Sequence, residues 1–466
     1  MKNNEGLVVI AGGGMTGMLA ALLIKKRKPR ADVVIVERSA QPGGSYRGVN
    51  LPGFGYCDCA MRLYYETGLP DFDAILHGLL PEKEWYVLPD NVKDIVGAYW
   101  RGELQTHSPY LDLRRLSQPE RRRCEREVLE RLRNQGGESQ QTEDAAQYLR
   151  RRFGSATGGY IEKVLEKFYG VPASALHESA TYQPAMNRVV LYNEAEMQPV
   201  MRDEKMRSVI AWPDQLTLPV KRQPSQSGLY PRKFGIDRVI DAAHQQLERQ
   251  GTRFLFNRRV AALKVAGKGV TRVLLDDGMV LEEPALLLGA NGLHGSLNML
   301  REGTGPSASD FVPPRCWHVY LRLAERPNMG GLYYCWCLDE GYRTFRVTNY
   351  VNYCPDARNA EGYPVCVELW SSDATTQEAI QRAVRELGEM NLVNGEQGIG
   401  ARAAVQAMNM HALCTLENVQ KLRAMRQELR ERSPRNMITV GPFIEDGVMQ
   451  LYDVSRKMCA MISERM

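Results

Sequence analysis

Several kinds of chemistry are poorly provided for in this chain. Only seven histidines occur in 466 residues, and no Ser/His/Asp or Cys/His arrangement for nucleophilic catalysis stands out among them. The ten cysteines are scattered. No CxxC pair occurs, only Cys57/Cys59 and Cys335/Cys337 come close, and no histidine falls at zinc spacing beside them. A zinc module and a metal centre are therefore not expected, and the thiols read as reduced side chains of a cytoplasmic protein. No dense Lys/Arg stripe with interleaved aromatics appears, and a formal charge of +5 is small for this length, so nucleic acid is not the expected partner. One almost uncharged run, Leu7 to Ile24, has membrane-like length. It contains Gly12-Gly13-Gly14, which would break a spanning helix. Its basic residues, Lys25 to Arg30, follow the run instead of preceding it, and no small-residue cleavage site appears. Neither a transmembrane segment nor a secretory signal is expected.

What is present is the composition of a globular chain, 44% hydrophobic and 25% charged, with room for two lobes each with its own core. The first forty residues read as βαβ: a short buried strand at Leu7 to Ala11, a helix from Met15 to about Lys28, and a Val/Ile-rich strand at Ala31 to Glu37. Leu51 to Pro70 is rich in Gly and aromatics and reads as loop with short strands. Ser117 to Arg133 reads as a charged helix, and Glu143 to Phe153 and Tyr160 to Tyr169 as two more. A second β-rich block starts near Tyr230, with a helix at Arg238 to Gln250, a strand at Thr252 to Phe256 and a hairpin of Arg259 to Val265 with Val270 to Leu275. Ala285 to Ala290 is another buried strand. Strands dominate from Trp317 to Trp370, with Val319, Leu321 and Leu323 on one face. Residues 376–390 and 416–432 are helical, and a buried strand at Met437 to Gly441 leads into a final helix. The fold class is α/β.

Gly12-Gly13-Gly14-Met15-Thr16-Gly17 fits G-x-G-x-x-G after a strand and before a helix. The first Gly makes the tight turn, Gly14 lets a pyrophosphate approach the backbone, and Gly17 lets the helix pack on the sheet. The helix start then offers free N–H groups and partial positive charge to the phosphates. Glu37 ends the next strand at the distance where an acid receives ribose hydroxyls, and its charge repels a 2′-phosphate, which disfavours NADP. Glu37-Arg38 is followed by Gly43-Gly44-Ser45, a second glycine pair able to admit the rest of a bound cofactor. That pair favours FAD over NAD.

Val8-Val9-Ile10 through Gly12, Gly14, Gly17, Ala21, Glu37 and Gly43-Gly44 resembles the N-terminal signature of a large flavoprotein group. The group comprises amine oxidases, protoporphyrinogen oxidases, phytoene desaturases and UDP-galactopyranose mutases. Three later stretches resemble it in the right order. Gly53-Phe54-Gly55-Tyr56-Cys57-Asp58-Cys59-Ala60-Met61-Arg62 is similar to a segment that passes the flavin ring, with Ala60 where Gly is usual and Arg62 where His is frequent. Tyr230 to Gly235 with Phe254 to Val260 is similar to segments whose backbone, at the Val260 position, meets adenine; Phe234 replaces a usual Gly. Val440-Gly441-Pro442-Phe443 and Val448 to Asp453 are similar to the segment whose helix start faces the flavin pyrimidine, with Pro442 where Arg is common.

The resemblance implies FAD as cofactor and a discontinuous Rossmann-like (GR2-type) lobe of residues 1–75, 225–300 and 430–466. A second, α+β substrate lobe would comprise a mostly helical part, 76–224, and a β-sheet part, 301–429. The cofactor residues it implies are Gly12, Gly14, Met15, Thr16, Gly17, Glu37, Arg38, Gly43, Gly44, Ser45, Met61, Val260, Gly441, Met449, Gln450 and Leu451. Arg62 and Arg346 are implied contacts to an anionic substrate. A structural ion pair is the alternative for Arg62, and Trp212, Tyr320 and Trp370 read either as substrate-lobe aromatics or as core. No side chain is singled out as catalytic, as expected where a cofactor supplies the chemistry. The expected activity is hydride transfer from a small anionic or sugar-like molecule to FAD. The alternatives are a non-redox isomerase like the sugar mutases, an FAD-binding protein without activity, and a plain NAD dehydrogenase. Oligomeric state is left open.

Overall fold

Strand Leu7–Ala11 and strand Asp32–Glu37 lie side by side in parallel, joined by helix Met15–Arg27. The computed structural model describes residues 6–88, 94–134, 144–224, 226–311, 316–370, 375–407, 413–446 and 450–465. The run of membrane-like length is thus a strand, a glycine turn and most of a helix. No helix among the described residues is long and apolar enough to cross a membrane.

Three further strands join this pair. The five-stranded sheet runs 253–256, 32–37, 7–11, 284–289, 437–439, and every neighbour is parallel. Both faces are covered, which is why its strands read as continuous apolar runs instead of alternating ones. Val8, Ile10, Val33 and Ile35 face helices Met15–Arg27, Asp237–Arg249 and Leu451–Arg465, while Val9, Ala11, Val34 and Val36 face an antiparallel meander. The meander comprises Val260–Ala266, Gly269–Leu275 and Val280–Glu282. The sheet therefore draws its strands from three separated stretches of chain. The C-terminal one is shorter than its apolar run suggested, Met437–Thr439 instead of a strand reaching Gly441, because Gly441 turns with φ +118°.

A second, seven-stranded sheet runs 399–407, 316–323, 363–370, 344–349, 334–337, 96–100, 103–105. It is antiparallel except where 334–337 meets 96–100. Trp317, Val319, Leu321 and Leu323 pack under helix Thr376–Glu389. The opposite side of the same strand carries His318, Tyr320 and Arg322. Helices Gln118–Asn134 and Ala145–Tyr169 lie beside this sheet. The second is two helical runs meeting at a kink, the first ending at Phe153 as expected and the second starting before the expected Tyr160. The break is confined to Gly154 (φ +81°), and the chain is helical again through Gly158 and Gly159. A Cβ at Gly158 would lie 3.4 Å from the Leu149 backbone, so a small residue suits packing there.

Candidate functional site

The glycine loop sits at the C-terminal ends of the central strands, where open parallel sheets bind their ligands. Gly12 has φ +114°, and its N–H donates to Val36 O at 2.9 Å. A Cβ on Gly17 would lie 2.0 Å from Gly12 O, so only Gly lets the helix approach the strand this closely. Gly14 is different. A Cβ there would meet nothing nearer than 3.8 Å, and its φ of −68° is open to any residue. The space beside Gly14 is free on the protein side. The second glycine pair bounds that space, with Gly43 N–H donating to Gly13 O at 2.9 Å and Gly43 pairing with Gly14 as an isolated bridge. Gly43 and Gly44 both have positive φ, +116° and +56°. Met15 is buried at the helix start and Thr16 is half-buried.

Glu37 is 6% exposed. One carboxylate oxygen accepts the Gly13 N–H at 2.7 Å and the other accepts the Ser39 N–H at 2.8 Å. Each oxygen keeps lone-pair capacity for one further donor. Asn257 N–H donates to Ser39 O at 3.1 Å and Arg258 N–H to Glu37 O at 3.0 Å. These bonds bring the corner leading to Val260 against the same strand end. Arg38 points to solvent.

On the far side of Gly12, Ala290 N–H donates to Ala11 O at 2.9 Å. A Cβ on Gly441 would fall 2.9 Å from Gly292 N. Gly12, Ala290, Gly292 and Gly441 are thus packed backbone to backbone. The turn Ala290-Asn291-Gly292 was missed in the sequence, where only the strand before it was read. Pro442 lies in this corner and accepts from Leu293 N–H at 3.0 Å, and Arg426 reaches in to Phe443 O at 3.3 Å. Gln450 and Leu451 begin the last helix and border a small cavity shared with Tyr46, Tyr64 and Tyr65. One N–H of that helix start, on Gln450, is taken by Asp453 at 3.2 Å. Met449 lies outside the described residues.

The 53–62 segment is anchored by Asp58, a fully buried carboxylate that sequence reasoning did not single out. It accepts from Tyr56 OH at 2.6 Å, from Tyr230 OH and from Ile236 N–H at 3.1 Å, while its carbonyl accepts from Tyr350 OH at 2.7 Å. Burial outweighs these donors and pushes its pKa up to about 6. The Asp58 side chain thereby ties this segment to strand Gly228–Pro231 and to Ile236, and its backbone carbonyl ties it to the turn after strand 344–349. Ala60 has φ +57°. The left-handed backbone accounts for Gly being usual at this position in the resembling segment. Phe234 keeps an ordinary φ and fills an aromatic cluster with Tyr56, Tyr230 and Tyr350.

Arg62 donates to Ser45 O at 3.4 Å and Met61 O at 3.1 Å, and lies over the Tyr46 ring at 5.9 Å. It has no carboxylate partner among the described residues. Arg346 lies on the polar face of the large sheet, over the Tyr334 and Trp336 rings, where its fork is closed on Glu368, one bond measuring 2.8 Å. Burial alone would raise the Glu368 pKa, but Arg346 and His318, whose Nε2 is 3.5 Å away, hold it well below the usual carboxylate range. Of the two expected anion contacts, Arg62 therefore keeps its charge uncompensated and Arg346 does not. Tyr320 is core, fully buried against Phe54 and His318. Trp370 stacks on Phe345, with ring centroids 4.5 Å apart, and Trp212 donates to Thr217 at 3.1 Å.

Residues 10–77 match the family profile of an NAD(P)-binding Rossmann-like domain. No curated protein sequence matches the chain. Among solved structures, the chain is similar to a reduced UDP-galactopyranose mutase at TM-score 0.72 and 16% identity, with 98% of this chain and 96% of that one covered. A putative protoporphyrinogen oxidase from Exiguobacterium sp. 255-15 aligns at TM-score 0.65 and 16% identity, covering 99% and 98%. A putrescine oxidase aligns at 0.61 and 11%, again covering 99% and 98%. The chain shares the fold of these proteins over nearly its whole length.

Proposed function

We propose that the chain binds FAD along the Gly12–Gly17, Glu37 and Gly43–Gly44 cradle and is an FAD-dependent oxidoreductase acting on a small anionic or sugar-like molecule. The observation that carries this is the arrangement at Glu37: a buried carboxylate held by two backbone N–H groups, with one lone pair per oxygen to spare for ribose hydroxyls. The residues fit the group, since the free space at Gly14 lies between the first helix's N-terminus and the second glycine pair, where a pyrophosphate would sit. Bound there, FAD would supply two-electron chemistry by accepting a hydride from substrate.

The chain's own residues divide the remaining work. Residues 1–75, 225–300 and 430–466 form the cofactor lobe, and they contain all five strands of the parallel sheet. Ser45, Met61, Val260, Gly441 and the helix start at Gln450–Leu451 line the cofactor's path, and the helix start places partial positive charge at one end of it. Arg62 binds an anionic group of the substrate, because its charge has no carboxylate partner among the described residues. The location we propose is cytoplasmic. Reduction of the protein's flavin absorbance by an anionic or sugar-like donor under anaerobic conditions would support the assignment; a flavin that stays oxidised with every donor tried would count against it.

The likeness to a reduced UDP-galactopyranose mutase across both chains favours a second reading, a non-redox isomerase. Turnover that requires reduced enzyme yet consumes no reductant would decide for it.

A further inference from the structure

Outside the cradle and the 53–62 segment, three arginines carried by separate short elements between residues 188 and 222 converge. Arg188 precedes strand Val189–Val190, which pairs with Leu111–Asp112. Val189 is also bridged to Ile210, and its carbonyl accepts the Ala211 N–H at 2.8 Å. That places Arg188 beside the end of helix Glu204–Val209, which carries Arg207. Arg222 ends the turn Val220–Arg222. All three are half-buried.

Three positive side chains held together and half withdrawn from water are costly unless something neutralises them. Here the charges act on one another. Burial lowers the Arg222 pKa, Arg188 and Arg207 lower it further, and the one opposing influence is the Tyr110 hydroxyl. No described carboxylate pairs with any of the three. Arg207 spends one N–H on Met201 O at 2.6 Å. Arg188 Nε and Arg222 Nη1 are sealed from water and have no acceptor among the described residues. Of the other arginines with a sealed N–H, Arg115, Arg238 and Arg322 each have a glutamate partner, and Arg152 does not. A fourth cation, Arg152, bonds Ser208 O next to Arg207 and brings no acid with it. The cluster thus combines excess positive charge with buried donors facing no acceptor. A group with several oxygens and about two negative charges would satisfy both.

We propose that Arg188, Arg207 and Arg222 form a binding site for a phosphate-type dianion, either inorganic phosphate or the phosphate of a small-molecule monoester. The site does not depend on the flavin assignment, and it leaves Arg62 and Arg346 untouched. The test is a calorimetric titration of the purified protein, flavin included if present, with sodium phosphate and separately with glucose 1-phosphate, each against sodium chloride at matched ionic strength. Saturable binding that weakens at least tenfold in Arg222→Gln and in Arg188→Gln is the expected result, with Arg222→Lys intermediate because it keeps the charge and loses the fork. Equal affinity for both probes assigns a free anion, and tighter binding of glucose 1-phosphate assigns an ester. Without added anion, Arg222→Gln should also melt at a higher temperature than the parent, because mutual repulsion is relieved. Absence of saturable binding by either probe would overturn the proposal, as would binding unchanged in both Gln variants. A lower melting temperature of Arg222→Gln in anion-free buffer would overturn it too, because it would mean that an internal partner already neutralises the cluster.

Discussion

Gly14 and Gly17 are three residues apart at one helix start, yet the structure predicts opposite consequences for the same substitution. In Gly17→Ala the new methyl would be 2.0 Å from Gly12 O and 3.3 Å from Ile10 Cγ2. The first neighbour is backbone in a buried strand end and has no rotamer to change, so the helix must move off the sheet. Overpacking of this kind costs about 1–3 kcal/mol where side chains can adjust, and a clash against fixed backbone should exceed that range. In Gly14→Ala the nearest atoms lie at 3.8 and 4.0 Å, and φ is already −68°. The fold should tolerate this change within about 1 kcal/mol, the scale of an exchange at a helix N-cap. The methyl instead enters the space assigned to the pyrophosphate. Loss of one charge-assisted hydrogen bond there, roughly 1.5–3 kcal/mol, lowers FAD affinity by about ten- to a hundredfold. The assay is paired: thermal unfolding of the apoprotein, then flavin titration followed by fluorescence quenching. A stable Gly14→Ala protein with unchanged FAD affinity would falsify the placement of the cofactor. A Gly17→Ala protein as stable as the parent would contradict the packing argument.

Glu37→Lys should lose most of its bound FAD, since the replaced carboxylate contact is worth roughly 1.5–3 kcal/mol; the flavin-to-protein absorbance ratio reads this directly. Truncation after Ser433 removes strand Met437–Thr439 and helix Leu451–Arg465, so soluble, folded protein should not be recovered, as judged by circular dichroism and gel filtration. Gly441→Val should destabilise the apoprotein as well as weaken FAD, because its Cβ would meet Gly292 backbone at a φ of +118°. Asp58 should make stability depend on pH. Its pKa of about 6 in the folded state lies above the ordinary 3.8, so the native protein binds the extra proton between these values. This group's contribution to stability therefore falls as pH rises from about 4 to about 6, by about 3 kcal/mol in all. Denaturant melts of Asp58→Asn across that range should show a correspondingly smaller fall than the parent's.

The parts of the fold legible in the sequence were those set by local rules. The strand, turn and helix at Leu7 to Lys28 were readable because only glycine satisfies the close approach of Gly17 to Gly12. The strand after Glu283 and the hairpin after Val260 were readable because sheet burial leaves a short apolar run. Val319, Leu321 and Leu323 do share a face, under helix Thr376–Glu389. Strand order was not legible from such patterns, because a run such as Met437 to Gly441 shows that it is buried but not between which neighbours. The second helical run of Ala145–Tyr169 was expected to start only at Tyr160 because Gly158 and Gly159 read as a break, whereas the break falls at Gly154 (φ +81°) and both of those glycines are helical. Asp58 escaped notice because its donors, Tyr56, Tyr230 and Tyr350, are spread over three segments and only the fold gathers them. Arg188, Arg207 and Arg222 escaped for the same reason. The fate of Arg346 was hidden as well, since its partner Glu368 is set by cross-strand register.

The most direct test of the account is the identity of what the purified protein releases on denaturation. A yellow protein that yields FAD, not FMN, in amounts close to one per chain is the predicted result, because the Glu37 carboxylate and the two glycine pairs select a dinucleotide with an adenosine ribose. A colourless protein that cannot be reconstituted with FAD would contradict it.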